Sequence, residues 1–174
     1  MARDILKTLK AEHDELRGLF EQMNGTTDRA EKTRADLLAK IDKGLLPHAK
    51  WEEAVFYPAF VERAERDGQK TYAEAVEEHR AVERTVMPDV HQAEVGTAEF
   101  AGRAKVFGEF VDHHAKEEES TMFKMARELF SAEERAALDE QYEAWKQSEE
   151  GMTAVADAAA QTGADAALGQ RRMQ

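Results

Sequence analysis

The sequence predicts an all-α protein, arranged as an antiparallel up-down-up-down four-helix bundle with a short fifth C-terminal helix. The 174 residues are rich in Ala, Glu, Leu and Lys and include only three Pro, a composition typical of helical proteins. Four long segments carry apolar residues at helical spacing and are joined by short turn sequences. No stretch alternates apolar and polar residues as a strand would.

The first two helices are predicted over residues 4–23 and 28–66, on either side of the turn sequence NGTTD. Asp28 and Glu31 have the spacing of a capping box, which would start the second helix. Asp67 and Gly68 are expected to end it. Their apolar stripes are Leu6, Leu9, Leu16, Phe20 and Met23, and then Leu37, Leu38, Ile41, Leu45, Val55, Phe56, Ala59 and Phe60. Gly44 and Pro47 are expected to bend or interrupt the second helix.

The remaining helices also begin at capping sequences. Thr71 and Glu74 predict the start of the third helix, and Pro88 lies just past its expected end. The fourth is predicted from Thr97 to about residue 129, and Ser131 with Glu134 predicts a short fifth helix through Trp145. The apolar stripes of the third and fourth helices are Tyr72, Ala75, Val76, Val82 and Val86, and then Phe100, Ala104, Phe107, Val111, Met122, Met125 and Leu129.

Residues 1–149 are therefore predicted to form one domain, and residues 150–174 a mobile tail rich in Ala, Gly and Gln. The tail has few large apolar side chains and is expected to bury little surface. Residues 154–160, which are mostly Ala, leave a frayed helix as the alternative there.

Composition excludes several classes of function. The net charge of −12 opposes the binding of nucleic acid, because an acidic surface repels phosphate. The absence of cysteine excludes disulfides, thiol chemistry, iron–sulfur clusters and Cys-bound zinc. The N-terminal sequence MARDILKTLK is no signal peptide, and no apolar run is long enough for a membrane span. We therefore expect a soluble, cytoplasmic protein.

Ionisable residues interrupt the apolar stripe of every long helix. In the first helix the interrupting residue is His13. In the other three it is a His followed by a Glu one turn later: His48/Glu52, His79/Glu83 and His114/Glu118. Residues i and i+4 share a face of a helix, so each pair offers a nitrogen and an oxygen to the same interior. Buried carboxylates are costly without a cation, and metal ions are the direct way to neutralise them.

The alternative is that these pairs are ordinary surface ion pairs at i,i+4 spacing. His113/Glu117 is a fourth such pair, but it lies off the apolar stripe, as do Glu53 and Glu119. These residues are expected to be solvated, and so is His91, which follows Pro88. The location of three pairs on apolar faces favours a metal site over surface pairing.

Together these motifs resemble the hemerythrin-like family, also called HHE cation-binding domains. The resemblance covers about residues 1–130. It comprises His13, the stretch HAKWEEAVFYP from His48, then His79, and the stretch HAKEEESTMF from His114. It implies an antiparallel four-helix bundle around a non-haem di-iron centre, with an oxo or hydroxo bridge. Glu52 and Glu118 would bridge the two Fe ions, and His13, His48, His79 and His114 would be terminal ligands.

Other metal sites are less favoured. Ferritin-like di-iron proteins need Glu three residues before His, and no histidine here has a Glu at that position. Mn or Zn is less expected than Fe. Bridging carboxylates and a mixed nitrogen and oxygen shell suit a pair of iron or manganese ions better than zinc.

Glu83 marks a difference from oxygen-carrying members of that family, which have a second histidine at this position. Whether Glu83 binds iron is left open. A carboxylate there would favour the ferric state and weaken the case for reversible oxygen carriage. Tyr57 and Tyr72 are expected to be core residues rather than ligands, although Pro58 leaves the direction of Tyr57 open.

Two functions follow from a di-iron site. The first is reaction with a small diatomic or peroxide ligand, O2, H2O2 or NO, in oxidative or nitrosative stress defence, with peroxide degradation or NO handling as the enzymatic form. The second is binding, storage or sensing of oxygen or iron without turnover. A metal-free helical scaffold that docks a partner protein is a third hypothesis. The sequence leaves open whether the protein is an enzyme and what its protein partner is.

Overall fold

The computed structural model describes residues 3–172 and contains helices but no strand within that range. Three of the four long helices are continuous through a π-helical turn. The six helices are α1, Ile5–Asn24; α2, residues 31–63, made of Glu31–Trp51, the π turn Glu52–Phe56 and Tyr57–Arg63; α3, residues 66–92, made of Arg66–Ala81, the π turn Val82–Val86 and Met87–Gln92; α4, residues 98–129, made of Ala98–Glu117, the π turn Glu118–Met122 and Phe123–Leu129; α5, Ala132–Lys146; and α6, Glu149–Arg172.

Three of the helix starts are stabilised by the side chains expected from the sequence. The carboxylate of Asp4 accepts a hydrogen bond from the N–H of Leu6, and the hydroxyl of Thr97 accepts one from Phe100. Ser131 and Glu134 form the predicted capping box. Each bond satisfies a backbone donor that has no partner within its helix.

Other predicted boundaries are wrong. Helix α2 begins without a side-chain cap, because Asp28 instead accepts a hydrogen bond from Arg34 at 2.9 Å. Helix α3 begins at Arg66, five residues before Thr71, so Asp67 and Gly68 lie inside a helix rather than between two. Pro88 also lies within α3.

The apolar core forms two clusters, one on each side of the layer of buried histidines. One cluster contains Ile5, Leu6, Leu9, Trp51, Phe56, Tyr57, Phe60, Met122, Phe123, Tyr142 and Trp145, among others. The other contains Leu16, Phe20, Leu37, Ile41, Leu45, Met87, Phe100 and Phe107, among others. The polar layer is therefore covered by apolar side chains at both ends, which keeps water away from it.

Residues 149–172 bury more than the sequence predicts. They form helix α6, which packs against α2 and α3. Thr162 and Ala166 are buried, and Val155 and Ala158 cover the second apolar cluster. The expectation of a tail that buries little is wrong, because small Ala side chains let this helix approach its neighbours closely. Its mobility stays a prediction, and residues 173–174 lie outside the described range.

None of the helices that the structure describes is both long enough and apolar enough to cross a bilayer.

Candidate metal centre

Four buried histidines, one from each long helix, point their Nε2 atoms toward one another. His13 and His48 approach with their Nε2 atoms 3.1 Å apart, and His79 and His114 do so at 3.0 Å. All four side chains belong to the buried part of the protein. The histidines therefore form two pairs, the first from α1 and α2 and the second from α3 and α4.

Glu52 and Glu118 connect the two pairs. The Oε1 atom of Glu52 lies 3.2 Å from Nε2 of His48, and its Oε2 atom lies 3.6 Å from Nε2 of His79. One oxygen of Glu118, Oε2, lies 3.3 Å from Nε2 of His13 and 3.8 Å from Nε2 of His114. Each carboxylate thus reaches a histidine of each pair, which is the placement that a bridging ligand requires.

These atoms form two groups that could each hold a metal ion. The first comprises His13, His48, Glu52 and Glu118, and the second comprises Glu52, His79 and His114; within each group the donor atoms lie within 4.8 Å of one another. Glu52 belongs to both groups. Six of the seven predicted ligands are therefore brought together.

The histidines also make outward hydrogen bonds through Nδ1. His48 bonds to Glu12 at 2.9 Å, His79 to Glu53 at 3.0 Å, His114 to Glu78 at 2.7 Å and His13 to Glu119 at 3.1 Å. A carboxylate that accepts from Nδ1–H fixes the ring orientation and leaves the Nε2 lone pair free for a metal. The expectation that Glu53 and Glu119 are merely solvated is wrong. Glu12 and Glu78 were not predicted as site residues, although each directly precedes a predicted ligand.

The donor set fits metal cations. With Nδ1 bonded outward, the Nε2 lone pairs face carboxylate oxygens, and this arrangement is repulsive without positive charge between them. Both oxygens of Glu52 and Oε2 of Glu118 are buried without a hydrogen-bond partner. Unpartnered buried acceptors are rare and costly, and cations at the two groups would satisfy them.

The pKa shifts of Glu118 and His48 also indicate that positive charge is favoured between the histidines and the central carboxylates. Burial by itself would raise the pKa of Glu118, but His114 and His13 outweigh burial and hold that pKa well below its usual value. Burial would lower the pKa of His48, but Glu52 and Glu12 raise it well above its usual value. Metal ions would replace protons here, so metal binding would release protons.

The π turns explain how Tyr57 reaches the site. A π turn bonds residue i+5 back to residue i, and the N–H of Tyr57 donates to the carbonyl of Glu52 in this way. Tyr57 therefore lies on the same side of the helix as Glu52 instead of pointing away from it. Its hydroxyl donates to Oε1 of Glu118 at 2.8 Å and lies 3.2 Å from Nε2 of His79 and 3.3 Å from Nε2 of His114. The sequence predicted Tyr57 as a core residue rather than a ligand and left its direction open, and the structure directs its hydroxyl to the site.

Glu83 is the predicted ligand that the structure does not bring into either group. It forms an ion pair with Lys50 and is partly exposed. The π turn of α3 begins at Val82, so the helix is widened just where Glu83 would follow His79 by one α-helical turn. His113 is exposed, as the sequence predicts, whereas His91 pairs with Asp42 at 3.0 Å instead of being fully solvated.

The candidate site residues of the first two long helices recur in the next two at a constant separation in sequence. His48 and His114 are 66 positions apart, as their numbers show, and the same separation relates Glu12 to Glu78, His13 to His79, Glu52 to Glu118 and Glu53 to Glu119. The π turns Glu52–Phe56 and Glu118–Met122 are related by the same separation. The helix pairs α1–α2 and α3–α4 therefore supply equivalent halves of the site.

A small cavity adjoins the histidines on the side of the second apolar cluster. Its volume is about 30 Å³, which is room for a molecule the size of one or two heavy atoms. Its apolar walls are Leu16, Leu45, Leu46, Val82, Met87 and Val111. The cavity thus leaves room for a small molecule beside the histidines.

Comparison with known proteins agrees with this geometry. Residues 4–126 match the family model described as the hemerythrin HHE cation binding domain. A crystal structure of an HHE cation binding domain-containing protein from Mycobacterium kansasii is 22% identical, covers 89% of this chain and 98% of that chain, and has a TM-score of 0.71. The TM-score of 0.71 shows that the two proteins share a fold. A DNA nickase from Nostoc sp. is 27% identical over 144 residues, which are 82% of this chain but 39% of the nickase. The chain thus spans less than half the length of that relative.

Proposed function

Since the chain belongs to the hemerythrin HHE cation-binding domain family, we propose that it holds two iron ions and reacts with a small oxidant, O2, H2O2 or NO. The observation that carries this proposal is the pair of buried donor groups that share Glu52. Because both groups contain Glu52, the two ions would be bound side by side. A defence role against oxidative or nitrosative stress in the cytoplasm belongs to the same proposal.

His13 and His48 would hold one ion, and His79 and His114 the other, with Glu52 and Glu118 between them. The hydroxyl of Tyr57 lies near the second pair of histidines and adds an oxygen donor to that position. A pair of iron ions, when bound, supplies two electrons and an open position for a diatomic or peroxide ligand. Iron suits this nitrogen and oxygen donor set better than zinc.

The residues around the ions would control access and orientation. Glu12, Glu53, Glu78 and Glu119 hold the imidazoles in the tautomer that binds metal. The small cavity admits a diatomic or a peroxide and excludes larger substrates. The buried thioether of Met87 lines this cavity and would be the first methionine exposed to an oxidant there.

The four long helices are inferred to alternate in direction. One apolar cluster takes residues that precede His13 and His79 but follow Glu52 and Glu118, and the other takes the reverse set. This distribution supports the up-down-up-down order predicted from the short connections.

Nicking of DNA is not part of the proposal. The chain covers only 39% of the nickase that it resembles, and its net charge of −12 opposes contact with phosphates. Oxygen or iron binding without turnover remains the alternative function, and peroxide turnover distinguishes it from an enzymatic role.

The decisive measurement is the iron content of the protein after anaerobic loading with ferrous iron and desalting. We expect about two irons per chain, lost in the variant His48→Ala/Glu118→Ala and kept in His113→Ala, which removes an exposed histidine outside both groups. Folded protein without iron would overturn the proposal.

Peroxide is the next test of the loaded protein. Catalytic loss of H2O2 over many turnovers, with the iron content unchanged, would support an enzyme. A stoichiometric and reversible O2 adduct without peroxide loss would support the alternative, a carrier or sensor.

A further inference from the structure

A surface groove lies outside the two donor groups, between α1, α2 and α5. Its volume is about 570 Å³, within the usual range for small-molecule sites. We call it the lysine groove; it is lined by Glu12, Glu15, Leu16, Leu19, Gln22, Lys40, Lys43, Gly44, Pro47, Tyr142 and Lys146.

Three of these lining residues are lysines, in a chain whose net charge is −12. Lys40 and Lys43 are exposed and make no ion pair with any of the described residues. Lys146 leans over the ring of Tyr142, with Nζ 4.1 Å from the ring centroid, and pairs with Glu143 at 2.8 Å and Glu12 at 3.5 Å. The unpaired positive charge of the groove is therefore that of Lys40 and Lys43, which favours an anionic group at that rim.

The helix pair α3–α4 has no lysines at the positions equivalent to Lys40 and Lys43. The positions 66 residues after Lys40 and Lys43 are Val106 and Glu109, and Val106 is exposed. The lysines are thus absent from the equivalent face of α4, although the metal-site residues repeat. The groove is a feature of one half only, so the symmetry of the metal site does not account for it.

The floor of the lysine groove is joined to the metal site by two hydrogen bonds. The hydroxyl of Tyr142 donates to Oε2 of Glu12 at 2.9 Å, and Nδ1 of His48 bonds to the same oxygen at 2.9 Å. The ring of Tyr142 also packs on Trp51, with centroids 4.7 Å apart. A molecule seated in the groove would therefore lie one side chain away from His48.

A redox centre needs a route for electrons as well as a route for its oxidant. The cavity beside the histidines has about 30 Å³ and cannot hold an organic reductant. Such a reductant has to act from the surface, and the lysine groove is a surface site whose floor bonds to a proposed ligand.

We propose that the lysine groove binds a reduced flavin that carries a phosphate group, which donates electrons to the metal site through Tyr142, Glu12 and His48. In each step the flavin would lose one electron and release a proton to solvent, and one ferric ion would be reduced to ferrous. No bond to the protein forms or breaks. This inference rests on the proposed di-iron function.

Binding is tested first, on the metal-free protein, with flavin mononucleotide as the anionic probe. We expect saturable quenching of its fluorescence, with an affinity reduced about tenfold or more in Lys40→Glu/Lys43→Glu. The matched control is Lys70→Glu/Lys124→Glu, which makes the same charge change at two exposed lysines away from the groove. Equal loss in both double variants, or no binding to the parent, would overturn the proposal.

Electron delivery is tested on the oxidised, iron-loaded protein by stopped flow without oxygen. Reduced flavin mononucleotide should act about tenfold or more slowly on Lys40→Glu/Lys43→Glu, whereas the cation hexaammineruthenium(II) should act as fast or faster. Slowing of both donors alike, or of neither, would overturn the role of the groove. An unchanged rate in Tyr142→Phe would overturn the route through Tyr142.

The two arms separate this inference from the proposed function. Flavin binding to a protein that takes up no iron would overturn the di-iron function and the electron transfer with it, while the anion site would stand. Iron loading without flavin binding would overturn the lysine groove alone.

Discussion

The helix pairs α1–α2 and α3–α4 carry equivalent metal-site residues in unequal surroundings. Their histidines and inner and outer glutamates are related by one constant separation of 66 positions. Yet Tyr57 in one half corresponds to Phe123 in the other, and α6 covers α2 and α3. By the same symmetry, the groove between α1 and α4 is equivalent to the side of α2 and α3 that α6 covers. This groove is open, has a volume of about 420 Å³ and is lined by residues such as Arg17 and Asp112. The symmetry therefore places the donor groups, whereas the departures from symmetry distinguish the two candidate metal positions.

The largest expected effect is a difference in iron content between variants of the two central carboxylates, Glu52 and Glu118. Glu52 belongs to both donor groups and Glu118 to one. Glu52→Gln should therefore lower the iron content more than Glu118→Gln, because it removes a donor from both groups rather than from one. Metal analysis after desalting measures this. Equal losses in the two variants would mean that the halves are equivalent in metal binding.

Removal of helix α6 tests the asymmetry of the outer surface. A chain that ends at Ser148 exposes apolar side chains of the second cluster that Val155 and Ala158 now cover. We expect the free energy of unfolding to fall by about 2 kcal/mol, measured by urea denaturation of the metal-free protein. An unchanged midpoint would restore the view of this segment as a mobile tail.

Replacement of Tyr57 by Phe makes the two halves more alike. In the metal-free protein Tyr57→Phe removes a buried hydrogen bond to Glu118, which should cost about 1–2 kcal/mol in denaturant unfolding. In the loaded protein it should also abolish the visible absorption of a tyrosinate bound to ferric iron.

The control for Tyr57 is Tyr72→Phe. Tyr72 packs edge-on against Tyr57, with ring centroids 6.3 Å apart, and contributes no hydrogen bond to either donor group. The stability and the spectrum should both stay close to those of the parent. Equal effects of the two substitutions would argue against any special role of the Tyr57 hydroxyl.

The smallest expected effect concerns the ion pair between His91 and Asp42, which joins α3 to α2. The hydrogen bond to Asp42 raises the pKa of His91 above its usual 6.5. A raised folded-state pKa adds stability that is complete below about pH 6.5 and is lost as the pH rises through the folded-state value.

His91→Gln should therefore lower the free energy of unfolding by a few tenths of a kcal/mol at pH 6 and by less at pH 9. Denaturant unfolding at the two pH values measures the difference. A larger loss at pH 9 than at pH 6 would contradict this sign.

The sequence was sufficient to predict the four long helices and the six candidate ligands that the structure brings together, because i,i+4 spacing on an apolar stripe is local geometry. It was insufficient where an element departs from α-helical geometry. An ideal helix turns Tyr57 away from Glu52, and Pro58 alone does not show in which direction Tyr57 points. Glu83 was left open as a ligand, and the π turn at Val82 places it beside Lys50 instead.

The outer carboxylates and α6 escaped prediction for another reason. Glu12, Glu53, Glu78 and Glu119 each bond to a histidine of a different helix, and spacing within one helix cannot reveal such a contact. Helix α6 is stabilised by small side chains packed on its neighbours, whereas hydrophobic periodicity detects large apolar residues best.

Each π turn amounts to a one-residue insertion in an α-helix. The segment after Glu52 or Glu118 is therefore out of phase with the segment before it, and a single deletion within residues 53–55 would restore a regular helix. Such a deletion would rotate Tyr57 and everything beyond it by about 100° relative to His48. The number of residues between positions 52 and 57 thus determines the direction in which the Tyr57 side chain points. A deletion in this segment would therefore remove the tyrosine from the metal site as a substitution of Tyr57 would, while leaving the tyrosine in the sequence.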